Sequence, residues 1–122
     1  MDALDLTLPC DPCVLRPLRD RVGEWLRERA VPEETCSSAM LATHEATANA
    51  MEHARNCRSI EVRVRRRRRA IVVEVHDDGR WSHATFDDAE RGRGLMLMAG
   101  LTSKMEILAE PTGTIVRMVH VV

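Results

Sequence analysis

The chain predicts an α+β fold: a two-layer sandwich with one mixed, mostly antiparallel sheet of about five strands and three helices on one face. Three observations carry this. Two helical stretches stand side by side in the N-terminal half, and pairs of alternating strands joined by short turns follow them. The stretch 41–54, LATHEATANAMEHA, is alanine-rich and free of helix breakers, so it forms a mostly buried helix around which the rest is arranged. Adjacent helices followed by hairpins argue against a doubly wound parallel sheet, in which strands and helices alternate.

The elements follow in order as β-α-α-β-β-loop-α-β-β. Leu4, Leu6 and Leu8 alternate with Asp5 and Thr7, the period of a half-buried strand, and Pro9 ends it. Asp11-Pro12 supplies an N-cap and a proline at the first helical position. Val14, Leu15, Leu18, Val22, Trp25 and Leu26 then recur at helical spacing; Pro17 kinks this helix or delays its regular part to about residue 16. Val31-Pro32-Glu33-Glu34 starts the second helix, with two acids where the helix dipole favours them, and 41–54 completes it. Ile60, Val62 and Val64 alternate with charged residues, Ile71, Val73 and Val75 repeat the period, and the five arginines 65–69 form the turn between them. HDDGRW at 76–81 and a polar stretch to Arg91 read as a loop over a site. Gly92-Arg93-Gly94 opens a short apolar helix, 95–101, and strands at about 104–108 and 114–121 flank Glu110-Pro111-Thr112-Gly113.

Composition narrows the function classes. The 122 residues make one domain, 1–122, and 44% hydrophobic with 30% charged residues is the balance of a globular protein. A net charge of −1 gives no global case for nucleic acid or membrane binding, and the absence of Tyr argues against a base-stacking platform. No apolar run is long enough to span a bilayer and MDALDLTL has no basic n-region, so the expected compartment is the cytoplasm. Cys10 and Cys13 have C-x-x-C spacing, but Cys36 and Cys57 do not form the second pair of a zinc site; the four read as small packing residues. The arginine run 65–69 is the tip of a solvated hairpin, with an acidic partner or a phosphate backbone as the alternative.

The chemistry gathers in three places. Glu45, Asn49 and His53 are spaced by four, so they line one stripe of a largely apolar helix; the plain alternative is a solvated edge. An Asp77-Asp78-Gly79 sequence follows a strand, and Gly92-x-Gly94 opens a helix. Each suits a nucleotide. The Asn49 carbonyl oxygen suits a magnesium ion that takes its other ligands from water and phosphates, and Glu45 one turn earlier can accept a proton. Asp77 can accept from an exocyclic amine, and Gly79 lets backbone approach a flat ring. Gly92 and Gly94 present N–H groups to phosphate oxygens, with Arg91 or Arg93 adding charge.

These motifs, in this order and over almost the whole chain, resemble the ATPase family that unites gyrase, the large heat-shock chaperones, histidine kinases and mismatch-repair proteins. Within it the chain is most like the small anti-sigma-factor serine kinases of bacteria. LATHEATANAMEHA resembles that family's N box, HDDGRW its first glycine box, GRGLMLMAGL its second, and GTIVRMV its closing strand motif. The resemblance implies the Bergerat ATP-binding fold, with ATP and Mg2+ as cofactors. It implies Glu45 as general base, Asn49 as magnesium ligand, Asp77 as adenine reader and Thr114 as a second group near the adenine. His53, Gly79, Arg91, Gly92, Arg93, Gly94 and Leu95 complete the nucleotide contacts. The implied function is an ATP-dependent protein serine/threonine kinase that holds a sigma factor and phosphorylates a small anti-sigma-factor antagonist; homodimerisation is left open. The alternative is a nucleotide-sensing binding module with little catalysis, such as the regulatory partner of a phosphatase. Two departures stand out: Trp81 replaces a glycine of the wider D-x-G-x-G pattern, and the lid, about 80–91, is short.

Overall fold

The computed structural model describes residues 3–80 and 101–122. Its elements are strand β1 (Ala3–Pro9), a 3-10 turn (Pro12–Val14), helices α1 (Leu15–Glu28) and α2 (Glu33–His53), the hairpin β2 (Ser59–Arg67) and β3 (Ala70–Asp77), and the hairpin β4 (Lys104–Glu110) and β5 (Gly113–Val121). The five strands form one sheet in the order β1-β2-β3-β5-β4, and every neighbouring pair is antiparallel, so no parallel pair occurs among the described residues. The third expected helix, 95–101, lies outside the described residues except for its last position.

Register explains the two layers. Leu6, Val62, Val75, Val116 and Ile107 stand opposite one another across all five strands, and Leu4, Val64, Val73, Met118 and Met105 form the next row. Because side chains alternate, these rows share one face. They join Leu18, Val22, Trp25, Leu26 and the α2 alanines in a single core. Of the described helices, α2 lies on β3 and β5, and α1 packs against α2. Ala39, Ala42, Ala46 and Ala50 are almost fully buried, and their small side chains let α2 approach the sheet closely. The opposite face carries a charge-alternating row, Asp5, Arg63, Glu74, Arg117 and Glu106. Arg117 Nε donates to Glu74 Oε2 at 2.6 Å there. That pair and His76 hold the Glu74 carboxyl below its ordinary range against the opposing effect of burial.

Local chemistry sets the helix ends. Asp11 caps the 3-10 turn through the Cys13 N–H, and α1 starts at Leu15, which puts Pro17 in the first turn where a missing N–H costs nothing. The expected kink or delay is therefore a delay. Arg27 makes a two-pronged contact to Glu33 across the α1–α2 connection, at 3.0 and 2.6 Å. Two expectations change. The 65–69 turn is tighter than its arginines suggested: Arg65, Arg66 and Arg67 extend β2, and only Arg68 and Arg69 turn. Cys13 is exposed and packs nothing, while Cys36 is buried and donates to the Val31 carbonyl at 3.4 Å. No helix among the described residues is long and apolar enough to cross a membrane.

Candidate nucleotide site

The C-terminal end of α2 and the C-terminal end of β3 meet. Arg55, just past α2, and Arg80, just past β3, exchange both backbone hydrogen bonds, at 2.8 and 2.9 Å. The closeness requires Gly79: a Cβ there would lie 2.7 Å from both the Ala54 Cβ and the Arg55 carbonyl oxygen. Gly79 thus clears space for its own chain, where the sequence suggested clearance for a bound ring. In α2, Asn49 and His53 fall within the last turn and a half before this junction, and Glu45 one turn earlier.

Asn49 is only 7% exposed, and its amide nitrogen has no hydrogen-bond partner among the described residues. Asn49 belongs to the buried surface of α2, while Glu45 and His53 on the same stripe are only partly buried. A buried amide donor without a partner costs about 1–3 kcal/mol. Glu45 is half-buried. His53 is turned to its neighbour, with Nε2 3.4 Å from Glu52 Oε2.

Across the sheet Asp77 stands opposite Thr114, the last inward pair of β3 and β5, and both are buried. Val75 and Val116 form the inward row below them and Val73 with Met118 the next, so the apolar face ends in a carboxylate and a hydroxyl. Asp77 Oδ1 accepts the Gly79 N–H at 3.0 Å, which fixes the carboxylate against the turn that follows it. A cavity of about 310 Å3 opens at this end of the sheet between Asp77, Asp78, Thr114 and Gly113; Glu45, Asn49 and His53 do not line it. Arg91, Gly92, Arg93, Gly94, Leu95 and the lid after Arg80 lie outside the described residues.

Two residues here were missed as site residues from the sequence. Gly113 has φ of +155°, and a Cβ on it would lie 1.9 Å from the Asp77 carbonyl oxygen. Only glycine lets β5 enter beside β3 so closely, and that entry sets Thr114 opposite Asp77. Its signal was a glycine directly before a strand. Asp78 accepts the N–H groups of Arg58 and Ser59 on one oxygen, at 2.8 and 3.2 Å, and these bonds hold its carboxyl below the ordinary range. It fastens the start of β2 to the loop after β3, a contact twenty residues long in sequence that no local pattern announces. Beneath it the part-buried Cys57 thiol, whose Sγ donates to the Ser59 carbonyl at 4.0 Å, is pushed up by burial and by the neighbouring Cys10.

Among the described residues no three His, Cys, Asp or Glu groups gather as a metal site. A magnesium ion here would need a sparse protein donor set completed by phosphate oxygens and water. That is its usual manner: the Asn49 carbonyl oxygen would be the protein ligand, while its unpartnered Nδ2 is a donor that suits a phosphate oxygen and not the metal.

Comparison with known proteins agrees with this fold. Residues 8–120 match the family model described as a histidine kinase-like ATPase domain. A crystal structure of the RsbU and RsbW domains of Rv1364c from Mycobacterium tuberculosis is similar over 97% of this chain and 32% of that one, with TM-score 0.74 and 22% identity. The histidine kinase domain of the blue-light activated histidine kinase EL346 from Erythrobacter litoralis is similar over 93% of this chain and 61% of that one, with TM-score 0.63 and 22% identity. The chain thus spans about a third and three fifths of those two. No curated protein matches it. With a family model over nearly its whole length, the chain belongs to the histidine kinase-like ATPase domain family.

Proposed function

We propose that this chain is an ATP-dependent protein serine/threonine kinase that also binds a sigma factor, its substrate being a small anti-sigma-factor antagonist. Membership in an ATPase family implies ATP as the nucleotide. The single observation that supports the site is buried Asn49, whose Nδ2 donor lacks a partner among the described residues, one turn from Glu45 on α2; the donor suits a phosphate oxygen, and the metal would take the carbonyl oxygen. The regulator branch is supported by the ordered motifs and by the fold shared with an RsbW-containing structure.

On this reading Asn49 holds the Mg2+, and the metal supplies charge neutralisation to the phosphates when bound. Asp77 accepts from the adenine amine and Thr114 contacts the same edge. Gly92 and Gly94 offer backbone N–H groups to phosphate oxygens, with Arg91, Arg93, His53 and Leu95 around them. Glu45 takes the proton from the hydroxyl of the partner's serine or threonine.

The test is transfer of labelled phosphate from Mg-ATP to a copurifying protein. Glu45→Gln keeps the shape but removes the base, so transfer falls by about 10²–10⁴-fold while ATP affinity holds. Equal transfer by the variant, or none by wild type to any copurifying protein, leaves the nucleotide-gated binding module as the better account, which partner capture with and without ATP then checks.

A further inference from the structure

We propose that the β2–β3 hairpin tip and the adjoining end of β5 form a docking surface for an acidic, partly apolar segment of a partner protein, separate from the nucleotide site. The six arginines of β2 and its turn divide into two sets. Arg63 lies 3.5 Å from Glu61 and 3.8 Å from Asp5, Arg65 lies 3.3 Å from Asp5, and Arg66 donates to the Arg29 carbonyl at the end of α1. Arg67, Arg68 and Arg69 are exposed and have no hydrogen bond or ion pair from their side chains among the described residues. Three uncompensated guanidiniums in succession repel one another, and nothing in a two-residue turn requires arginine, since such turns favour Asn, Asp and Gly.

Register gives the surface its second component. Arg67 pairs with Ala70 and Ala70 with Val121, so these three stand in one row; Val72 and Val119 follow in the next row on the same face, opposite the helices. Val121 is 64% exposed, and the Val122 N–H is bonded to the Arg69 carbonyl at 2.9 Å, which holds this part of β5 against the tip. A basic rim beside an aliphatic step complements carboxylates next to a leucine or valine. Seven residues of β3 separate Ala70 from Asp77, about 24 Å of strand, so these arginines do not reach the nucleotide end. Nucleic acid fits less well: the flanking charge row carries Asp5 and Glu74, and the aromatic ring among the described residues, Trp25, is 2% exposed and lies under Arg29.

The experiment measures anisotropy of a short labelled peptide of aspartate, glutamate and leucine with the full chain at near-physiological salt, beside the same peptide without leucine, an oligothymidine and vesicles of anionic phospholipid. The expected result is binding of the leucine-containing peptide that weakens about tenfold in the triple Arg67→Ser, Arg68→Ser, Arg69→Ser variant and about threefold in Val121→Ser. Both variants keep the wild-type melting temperature and nucleotide binding. The proposal is overturned if the peptide does not bind wild type, if the triple variant binds it equally, or if the oligonucleotide or the vesicles bind more tightly than the peptide. Loss of nucleotide binding in wild type would count against the kinase reading and leave this surface untouched.

Discussion

The two ends of strand β3 are built on opposite terms. At the Asp77 end the chain is crowded: Gly79 and Gly113 exist because backbone fills the space a side chain would take, and Asp77, Thr114 and Asn49 are polar yet buried. At the Arg69 end, seven or eight residues away, three like charges stand in water with no carboxylate answering them among the described residues. One strand in one sheet therefore carries a preorganised pocket at one end and an open electrostatic surface at the other. Burial makes the first intolerant of change, because a buried polar group that loses its partner costs free energy. Solvent makes the second tolerant, since exposed charges interact weakly and are screened.

Substitutions should expose this contrast, the largest effect coming from Gly113→Ala. The new methyl would collide with the Asp77 carbonyl in a backbone region that L side chains avoid, so the domain should lose about 3 kcal/mol or more in denaturant unfolding. A loss under about 1 kcal/mol would mean that the strand entry can shift, and Thr114 would then not be held opposite Asp77.

Asn49→Ala separates stability from function. Removing the Asn49 amide breaks no side-chain hydrogen bond among the described residues, so unfolding free energy should change by no more than about 1 kcal/mol, while magnesium-dependent ATP affinity drops at least about tenfold. Strong destabilisation with unchanged affinity, read by thermal melting and calorimetry, would make Asn49 a structural group. Asp77→Asn should weaken adenine nucleotide binding by about 1–3 kcal/mol, because the adenine amine would meet a mixed donor and acceptor.

A smaller effect is expected from His120, on the inner face at the far end of β5. Burial depresses its pKa below 6.5, with the Leu101 carbonyl opposing that shift, and Glu34 and Ser103 line the cavity beside it. The unfolded chain then binds a proton more readily than the folded one, so stability should fall as pH drops below about 6.5 toward the folded pKa. His120→Leu should remove this acid slope and leave the carboxylate effects of Glu74 and Asp78, whose lowered pKa values act only below about 4.5 and 3.8. Melting temperatures at pH 7 and 5.5 should differ by about 2–5 °C less in the variant than in wild type. The smallest effect belongs to the open end: replacing Arg67, Arg68 and Arg69 by serine should move unfolding free energy by no more than about 0.5 kcal/mol.

Sequence by itself determined the strands and the two long helices among the described residues, the alternation that separates the two faces of the sheet, and the four-residue spacing that gathers Glu45, Asn49 and His53 on α2. These are local periodicities, so neighbours in the chain suffice to state them. The ordered motifs also pointed to the family that the match over residues 8–120 established. Tertiary structure alone decided the rest. That Asn49 is buried with an unpartnered end, that Asp77 faces Thr114, and that Gly79 and Gly113 clear room for backbone depend on strands and helices brought together from distant parts of the chain. The same holds for the arginines: a run of five reads as one uniform charge, and only the register with β3 and the positions of Asp5, Glu61 and Arg29 divide it into partnered and unpartnered members. Periodicity reports which way a side chain points, whereas its partners are set by packing over long sequence separations.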